Sequence, residues 1–267
     1  NLDLVANFAA ISQTSKELSG KFSTGEYEYA EFATGNLQYN VGTDTWRFAK
    51  QQYQYVGEAN INVGDPNYKG WIDMFGWSNG EANNFGVNPS FNKDDYKGKF
   101  ENWGTKMGEG WLTLTDAQWN YLLYQRANAS KLKQIAMVGE TRGIMLFPDD
   151  WTKTTVDATD DAELGVKVYK YDLTQWTALE LAGAVFLPAA GRRFGGYGNT
   201  VQVTSDGKTA LQYGTNYFAA YWTSTKHSDG ERASYLINLS TKGENNFVYS
   251  NFTLGWYEYG YVGQSVR

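Results

Sequence analysis

A chain of 267 residues is long enough to bury a substantial core, and its 23 basic and 29 acidic side chains give a net charge of −6. This charge repels a phosphate backbone, so we expect no nucleic-acid partner, and no apolar run is long enough for a membrane-spanning helix. With no cysteine and one histidine, His227, the chain lacks thiolate nucleophiles and His-rich metal sites. We therefore predict a protein that is not an enzyme, with no catalytic residues, no cofactor and no metal site.

The N-terminal part of the chain is predicted to hold a short leading segment and then strands. Apolar residues within 1–20 fit one face of a short helix, and residues 21–267 are predicted to form a single domain. Between Phe22 and Phe48, apolar and polar residues alternate and are interrupted by Gly-containing turns, which is typical of short strands. Residues 57–110 are rich in Gly and Asn and lack periodicity, which predicts a loop-rich insertion. Its apolar side chains, which we expect to keep it ordered, include Trp71, Met74, Phe75 and Trp77.

The clearest helix signal follows Leu114. Thr115 with Gln118 three residues later forms a capping-box pattern, in which each side chain satisfies a free backbone N–H of the other. An apolar stripe at helical spacing comes next and consists of Trp119, Leu122, Leu123 and Ala127. A strand is predicted at residues 143–147, where Pro148 ends it.

A second helix is predicted after Leu173. Thr174 is the expected N-cap, Leu173 the residue that packs onto Ala178, and Gly183 the expected C′ residue. Residues 185–187 then read as a strand. Two helices set against mostly antiparallel strands predict an α+β fold.

Several short sequence blocks in this chain are distinctive. The helix signature LTLTDAQWNY occupies residues 112–121, and the chain ends in GQSVR. These two blocks resemble the C-type lectin fold in its formylglycine-generating-enzyme-like branch. A larger set is similar to surface proteins of gut bacteria and phages, including variable proteins of diversity-generating retroelements. That set also contains GNLQY (35–39), TWRFA (45–49), GWIDMFGW (70–77), GAVFLPAAGRR (183–193) and YWTST (221–225).

The resemblance implies a C-type lectin-like fold in which two helices support a twisted, mostly antiparallel sheet with loop-rich insertions. It implies an exposed ligand-binding face in the last strands and loops, and a protein that is secreted, on the cell surface or on a phage particle. Calcium-dependent lectins of this fold carry Glu-Pro-Asn or Gln-Pro-Asp with Trp-Asn-Asp, and neither pair of triplets occurs here. Formylglycine generation resembles a copper or cysteine mechanism, and this chain has no cysteine.

Residues 211–267 form the predicted binding region. Thirteen of these 57 residues are aromatic and eight are Tyr, a side chain that combines large contact area with a polar tip. The alternation of Tyr257, Tyr259 and Tyr261 favours a strand with three rings on one face, and the expected partner is a protein or a glycan. The predicted ligand-binding residues are Asn216, Tyr217, His227, Asp229, Tyr235, Asn246, Tyr249, Asn251, Thr253, Tyr257, Tyr259 and Tyr261.

Diversification of this region is implied by the retroelement resemblance alone. In those proteins variable codons mutate at adenines, which takes Asn to residues such as Tyr, Asp, His, Ser and Thr, and the predicted positions all belong to that set. Five nearby residues do not, so they are either fixed framework positions or the mark of a relative that is not diversified. These residues are Glu231, Lys242, Glu244, Trp256 and Glu258.

Two other functions stay open. An enzyme of the same superfamily would work through carboxylates or a metal, for which the adjacent pairs Asp94–Asp95, Asp149–Asp150 and Asp160–Asp161 are the candidates. Adjacent side chains usually point apart, so solvated surface or turn carboxylates are the simpler interpretation. A structural domain of a surface fibre would instead bury the terminal tyrosines against the chain or a neighbour.

Overall fold

The computed structural model describes residues 18–57, 59–60, 67–75, 102–194, 211–213, 218–226, 232–238, 253–255 and 259–262, with side chains up to residue 191 and for residues 219–225. This part of the chain contains two α-helices and several sheets, and its strands are mostly antiparallel. The predicted α+β class is thereby confirmed. None of the described helices has the length and apolar character needed to cross a membrane.

The N-terminal strands form two small sheets. One is a hairpin of two strands, and the other has three antiparallel strands in the order β4-β3-β5. The strands predicted between Phe22 and Phe48 are confirmed, and two further short strands follow: β5, which pairs with β3, and β6, which pairs with a C-terminal strand. The bounds are β1 Phe22–Ser23, β2 Tyr29–Ala30, β3 Leu37–Asn40, β4 Thr45–Phe48, β5 Trp71–Ile72 and β6 Met74–Phe75.

An aromatic cluster orders the described part of the predicted insertion. Phe75 and Trp103 are buried, and the ring of Trp46 lies 5.3 Å from the ring of Phe75 and 6.3 Å from that of Trp103. Trp103 begins a 3-10 helix, Trp103–Met107. Aromatic packing therefore holds both ends of the insertion, as predicted, while Trp77 lies outside the described residues.

A five-stranded sheet lies at the centre of the described fold, in the order β11-β8-β7-β10-β9. Its pairings are antiparallel except for β10 with β7, which run parallel. The strands predicted at 143–147 and 185–187 correspond to β8 and β11. The bounds are β7 Lys133–Val138, β8 Thr141–Leu146, β9 Ala158–Asp161, β10 Val166–Tyr171 and β11 Val185–Pro188.

The first helix, α1, spans Asp116–Asn120 and begins as predicted. Thr115 is the N-cap, and its side chain and that of Gln118 form the complete capping box. The helix is shorter than the apolar stripe suggested, because it continues as a π-helical turn over Tyr121–Gln125 and then ends. Ala127 is consequently exposed, so its assignment to the buried stripe was wrong.

The second helix, α2, spans Leu173–Leu181 and begins two residues before Gln175, the first helical residue that an N-cap at Thr174 predicts. Asp172 is the N-cap and forms a capping box with Gln175, so the prediction of Thr174 as N-cap was wrong. A carboxylate accepts hydrogen bonds from the helix N-terminus more strongly than a hydroxyl because it carries charge. Leu173 is therefore the first helical residue, and its side chain is half exposed rather than packed as a staple.

The end of α2 is a Schellman motif, as the predicted C′ glycine requires. The Gly183 N–H donates to the Glu180 carbonyl at 2.9 Å, and the Ala184 N–H donates to the Leu179 carbonyl at 3.0 Å. Gly183 has φ of +93°, a conformation that side-chain-bearing residues rarely adopt. The motif turns the chain directly into β11.

The two helices cover opposite faces of the central sheet. Along β8, Ile144 and Leu146 belong to the buried cluster that contains Trp119 of α1, whereas Met145 belongs to the cluster that contains Trp176 of α2. This alternation follows from the two-residue period of a strand. Both tryptophans are buried, which confirms that they serve the core.

The C-terminal strands form a further sheet, in the order β13-β12-β17-β14-β15-β16, with β6 also paired to β17. It lies on the α1 side of the central sheet, because Ala219 and Tyr221 of β14 share the buried cluster of Trp119. The bounds are β12 Arg192–Phe194, β13 Leu211–Tyr213, β14 Phe218–Lys226, β15 Arg232–Asn238, β16 Thr253–Gly255 and β17 Tyr259–Val262.

Two glycine substitutions separate backbone strain from steric contact, one in the turn between β7 and β8 and one at the end of α2. In Gly139→Ala the added methyl meets only the Leu173 side chain at 3.5 Å, so the cost is that of the positive φ of +58°, on the order of 1 kcal/mol. In Gly183→Ala the methyl also comes within 3.0 Å of the Gly20 backbone. We expect urea unfolding to show a larger stability loss for Gly183→Ala. Equal losses would contradict the close approach of Gly20 and Gly183.

Candidate functional site

The structure describes the backbone of four predicted ligand-binding residues and brings them onto one sheet. Tyr235 lies in β15, Thr253 in β16, and Tyr259 and Tyr261 in β17. The prediction that Tyr259 and Tyr261 share a strand is confirmed. The remaining predicted positions lie outside the described residues: Asn216, Tyr217, His227, Asp229, Asn246, Tyr249, Asn251 and Tyr257.

The register of the sheet fixes how these positions relate to β14. Tyr235 is paired with Tyr221, while Thr253 is paired with Ser234, the neighbour of Tyr235. On the other side of β14, Tyr261 is paired with Phe75 of β6. The candidate positions therefore flank β14 from both sides, with β15 and β16 forming one end of the sheet.

The middle of β14 is anchored in the core. Tyr221 and Trp222 are each 1% exposed. The Tyr221 hydroxyl donates to the Pro188 carbonyl of β11 at 3.0 Å, and the Trp222 indole N–H donates to the Phe75 carbonyl of β6 at 2.7 Å. Buried donors that are satisfied in this way hold a strand in one position, since breaking either bond leaves a polar group unpaired. These two aromatic residues of the Tyr-rich region thus belong to the framework.

The far end of β14 is tied to the start of α1. The Ser224 N–H donates to the Leu114 carbonyl at 2.9 Å. The Thr225 hydroxyl donates to Asp116 Oδ1 at 2.6 Å and accepts the Asp116 N–H at 3.0 Å. The block YWTST, which carries part of the family resemblance, is therefore the segment that fixes the C-terminal sheet to the helix.

A buried carboxylate lies between β5 and β6 and was not singled out from the sequence. Asp73 and Asn60 are both fully buried and hydrogen bond reciprocally: the Asn60 side-chain amide donates to Asp73 Oδ1 at 2.9 Å, and the Asp73 N–H donates to Asn60 Oδ1 at 3.0 Å. The Val56 N–H donates to Asp73 Oδ2 at 3.0 Å. Burial raises the pKa of Asp73 to about 6, although these hydrogen bonds act in the opposite direction.

The described adjacent carboxylates have structural partners. Asp149 Oδ1 accepts from the buried guanidinium of Arg126 at 2.9 Å, and Asp149 Oδ2 accepts from the Ser23 N–H at 2.8 Å. Asp161 accepts from Arg142 at 3.0 Å and from two backbone N–H groups of the following turn. Asp149 and Asp161 are therefore held by ion pairs, whereas Asp150 and Asp160 are exposed, as the interpretation of solvated carboxylates expects. Asp94 and Asp95 lie outside the described residues.

Metal-binding chemistry has no preformed cluster in the described part of the chain. Among those residues, no group of three or more His, Cys, Asp or Glu side chains is placed to hold an ion. Asp149 and Asp161 there form ion pairs with Arg126 and Arg142.

Two exposed tyrosines near the N-terminus were also missed. Tyr27 is 84% exposed and Tyr29 is 62% exposed, in the hairpin of β1 and β2. The signal was the alternation over residues 29–32, since Ala30 and Phe32 are buried while Tyr29 is exposed and Glu31 is partly exposed. This alternation predicts a strand, but it identifies the exposed residues only once the buried face is known.

Comparison with known proteins adds no assignment: no family model, no curated protein and no solved structure matches this chain. The resemblance to C-type lectin-like surface proteins accordingly stays a prediction.

The buried carboxylate predicts a pH dependence of stability. The pKa of Asp73 in the folded state is raised above its unfolded value of 3.8, so protonation stabilises the fold. This contribution, on the order of 3 kcal/mol, is fully present below pH about 4 and is lost as pH rises through about 6. Asp73→Asn should remove this contribution. In urea unfolding, the wild type should therefore become more stable relative to the variant as the pH falls from 7 to 4.5.

The control for this prediction is Asp150→Asn, which removes an exposed carboxylate. Its stability should follow the wild-type pH profile. If Asp73→Asn and Asp150→Asn give parallel profiles, Asp73 is not the group that titrates.

Proposed function

We propose that this protein is a non-catalytic binding module of C-type lectin-like fold, in the formylglycine-generating-enzyme-like branch, which captures a protein or glycan through its C-terminal region. It acts outside the cell, as a secreted, cell-surface or phage-associated protein. The supporting observation is the anchoring of β14. Buried Tyr221 and Trp222 fix this strand, and the candidate residues Tyr235, Tyr259 and Tyr261 lie on the two strands that pair with it.

Rigidity under the candidate positions matters because binding costs less when the contact groups are already ordered. The tie of Thr225 to Asp116 and the pairing of β14 with both β15 and β17 supply such a support. Tyr and Asn on a rigid sheet provide contact area and adaptable hydrogen bonds without a reactive group. The same division between a fixed framework and changeable surface positions is what a retroelement-diversified protein needs.

Catalysis receives no comparable support. The described carboxylate pairs are engaged by Arg126, Arg142 and Lys167, the last at 3.5 Å from Asp160. Asp73, the one strongly shifted carboxylate among the described residues, is fully buried and out of reach of a substrate. A binding surface is therefore the function that the described geometry favours.

The direct test is a screen of the purified chain on arrays of glycans and of bacterial and host surface proteins. Hits should be lost in Tyr257→Ala/Tyr259→Ala, while the melting temperature stays within about 2 °C of wild type, because exposed contact residues contribute little to stability. The control is Leu181→Gln, an exposed position of α2 on the opposite face of the central sheet. A large fall in melting temperature in the tyrosine variant would place these rings in a core and favour the fibre domain.

Diversification has its own test. In the source population, deep sequencing of the coding region should show variation at the codons of Asn251, Tyr257 and Tyr259, with none at those of Tyr221 and Trp222. The reason is physical, since replacing a buried aromatic residue costs about 3 to 5 kcal/mol. Invariant codons at Asn251, Tyr257 and Tyr259 would exclude the diversified version and leave binding itself open to the array result.

A further inference from the structure

The hairpin tip, residues 24–29, is a second surface with the character of a contact site. Tyr27 and Tyr29 are 84% and 62% exposed, and Glu26 and Glu28 between and beside them are exposed as well. The Thr24 N–H donates to the Glu28 carbonyl at 2.9 Å, which closes the tip. The tip thus exposes two aromatic rings and two carboxylates.

Packing beneath the tip holds it against α1. The ring of Phe32 lies 5.0 Å from that of Phe22 and 6.1 Å from that of Trp119, and all three side chains are buried. On the surface, the Gln118 side-chain amide donates to Glu28 Oε2 at 3.1 Å. A hairpin fixed from below and from the side presents its tyrosines at low entropic cost.

The tip is adjacent to the candidate binding region. Gln118, which contacts Glu28, lies in the first turn of α1, and Asp116 in the same turn is bonded to Thr225 of β14. From Thr225 the chain continues to the candidate residues His227 and Asp229. The hairpin tip and the end of β14 therefore flank the same helical turn.

Charge decides what this surface can accept. Residues 24–29 include two carboxylates and no cationic side chain, Asp116 adds a third nearby carboxylate, and the whole chain carries −6. An aromatic face attracts a cation through its quadrupole, and a carboxylate beside it supplies a charge-assisted hydrogen bond. An anionic or purely apolar partner would leave the carboxylates repelled or desolvated.

We infer that the hairpin tip docks a cationic protein segment, whose Lys or Arg side chains pack on Tyr27 and Tyr29 and pair with Glu26 and Glu28. This inference rests on the proposed function, because it treats the tip as part of the same binding module and assigns it a protein partner. Partner segments that carry Lys or Arg would bind across the tip and the end of β14 together.

The test uses the purified full chain and labelled synthetic peptides of alternating Lys and Ser, Arg and Ser, or Glu and Ser. At an ionic strength of about 0.15 M, wild type should bind the cationic peptides at least about tenfold more tightly than the acidic one. Tyr27→Ser/Tyr29→Ser should weaken that binding about tenfold, whereas Tyr27→Phe/Tyr29→Phe, which keeps the rings, should stay close to wild type.

A matched charge control separates this site from general attraction to an acidic protein. Glu26→Gln/Glu28→Gln and Glu109→Gln/Glu140→Gln change the net charge equally, and all four carboxylates are exposed. Only the first variant should lose about tenfold in affinity. Equal effects of the two variants, wild-type binding by Tyr27→Ser/Tyr29→Ser, or no preference of wild type for cationic peptides would each overturn the inference.

The outcome is distinguishable from that of the proposed function. Tyr257→Ala/Tyr259→Ala should lose its array hits yet keep most of its affinity for the cationic peptides, because the hairpin tip is intact. If the hairpin variants bind the peptides normally while the array hits still depend on Tyr257 and Tyr259, the C-terminal binding face stands and the hairpin site does not.

Discussion

The hydrogen bond from the Trp222 indole to the Phe75 carbonyl is the contact on which the arrangement of the C-terminal sheet depends. Its donor lies in β14, and its acceptor lies in β6, which also pairs with β17. The hydroxyl of Tyr221, one residue earlier, donates to the carbonyl of Pro188 at the end of β11. Because both side chains are buried and both polar groups are satisfied, β14 cannot shift without exposing unpaired donors in the interior. The central sheet, the insertion strands and the C-terminal strands are joined at this strand.

Buried polar groups hold the connections between these layers. Asn60 and Asp73 fix the chain on either side of β5, while Arg126 and Asp149 fix the end of the π-helical turn to β1. Each has a cost: burial raises the pKa of Asp73 and lowers the pKa of Arg126. Hydrogen bonds offset the free-energy cost of burying these groups only when the bonded segments lie in one arrangement. These groups therefore fix the positions of loop segments whose sequences have no helical or strand periodicity.

The buried residues that hold the C-terminal sheet in place are distinct from the positions that are proposed to contact a ligand. Aromatic residues of the C-terminal region divide into buried anchors such as Tyr221 and Trp222 and positions on the flanking strands, and the hairpin tyrosines add a surface at the same helical turn. A module built this way can change its surface residues while its core contacts stay constant.

Local signals in the sequence determined much of the fold. The capping box of α1, the terminal Gly183 of α2, the alternating strands between Phe22 and Phe48 and the α+β class all follow from short-range chemistry. The N-cap of α2 and the exposure of Ala127 did not follow from these signals. Asp172 and Thr174 are both suitable N-cap residues, and a π-helical turn ends the first helix early. Composition likewise marked residues 211–267 as aromatic, but only the tertiary structure decided that Tyr221 is core and that Tyr27 and Tyr29 are surface. The reason is that a tyrosine suits either environment, and the side of the strand that meets a helix or sheet selects between them.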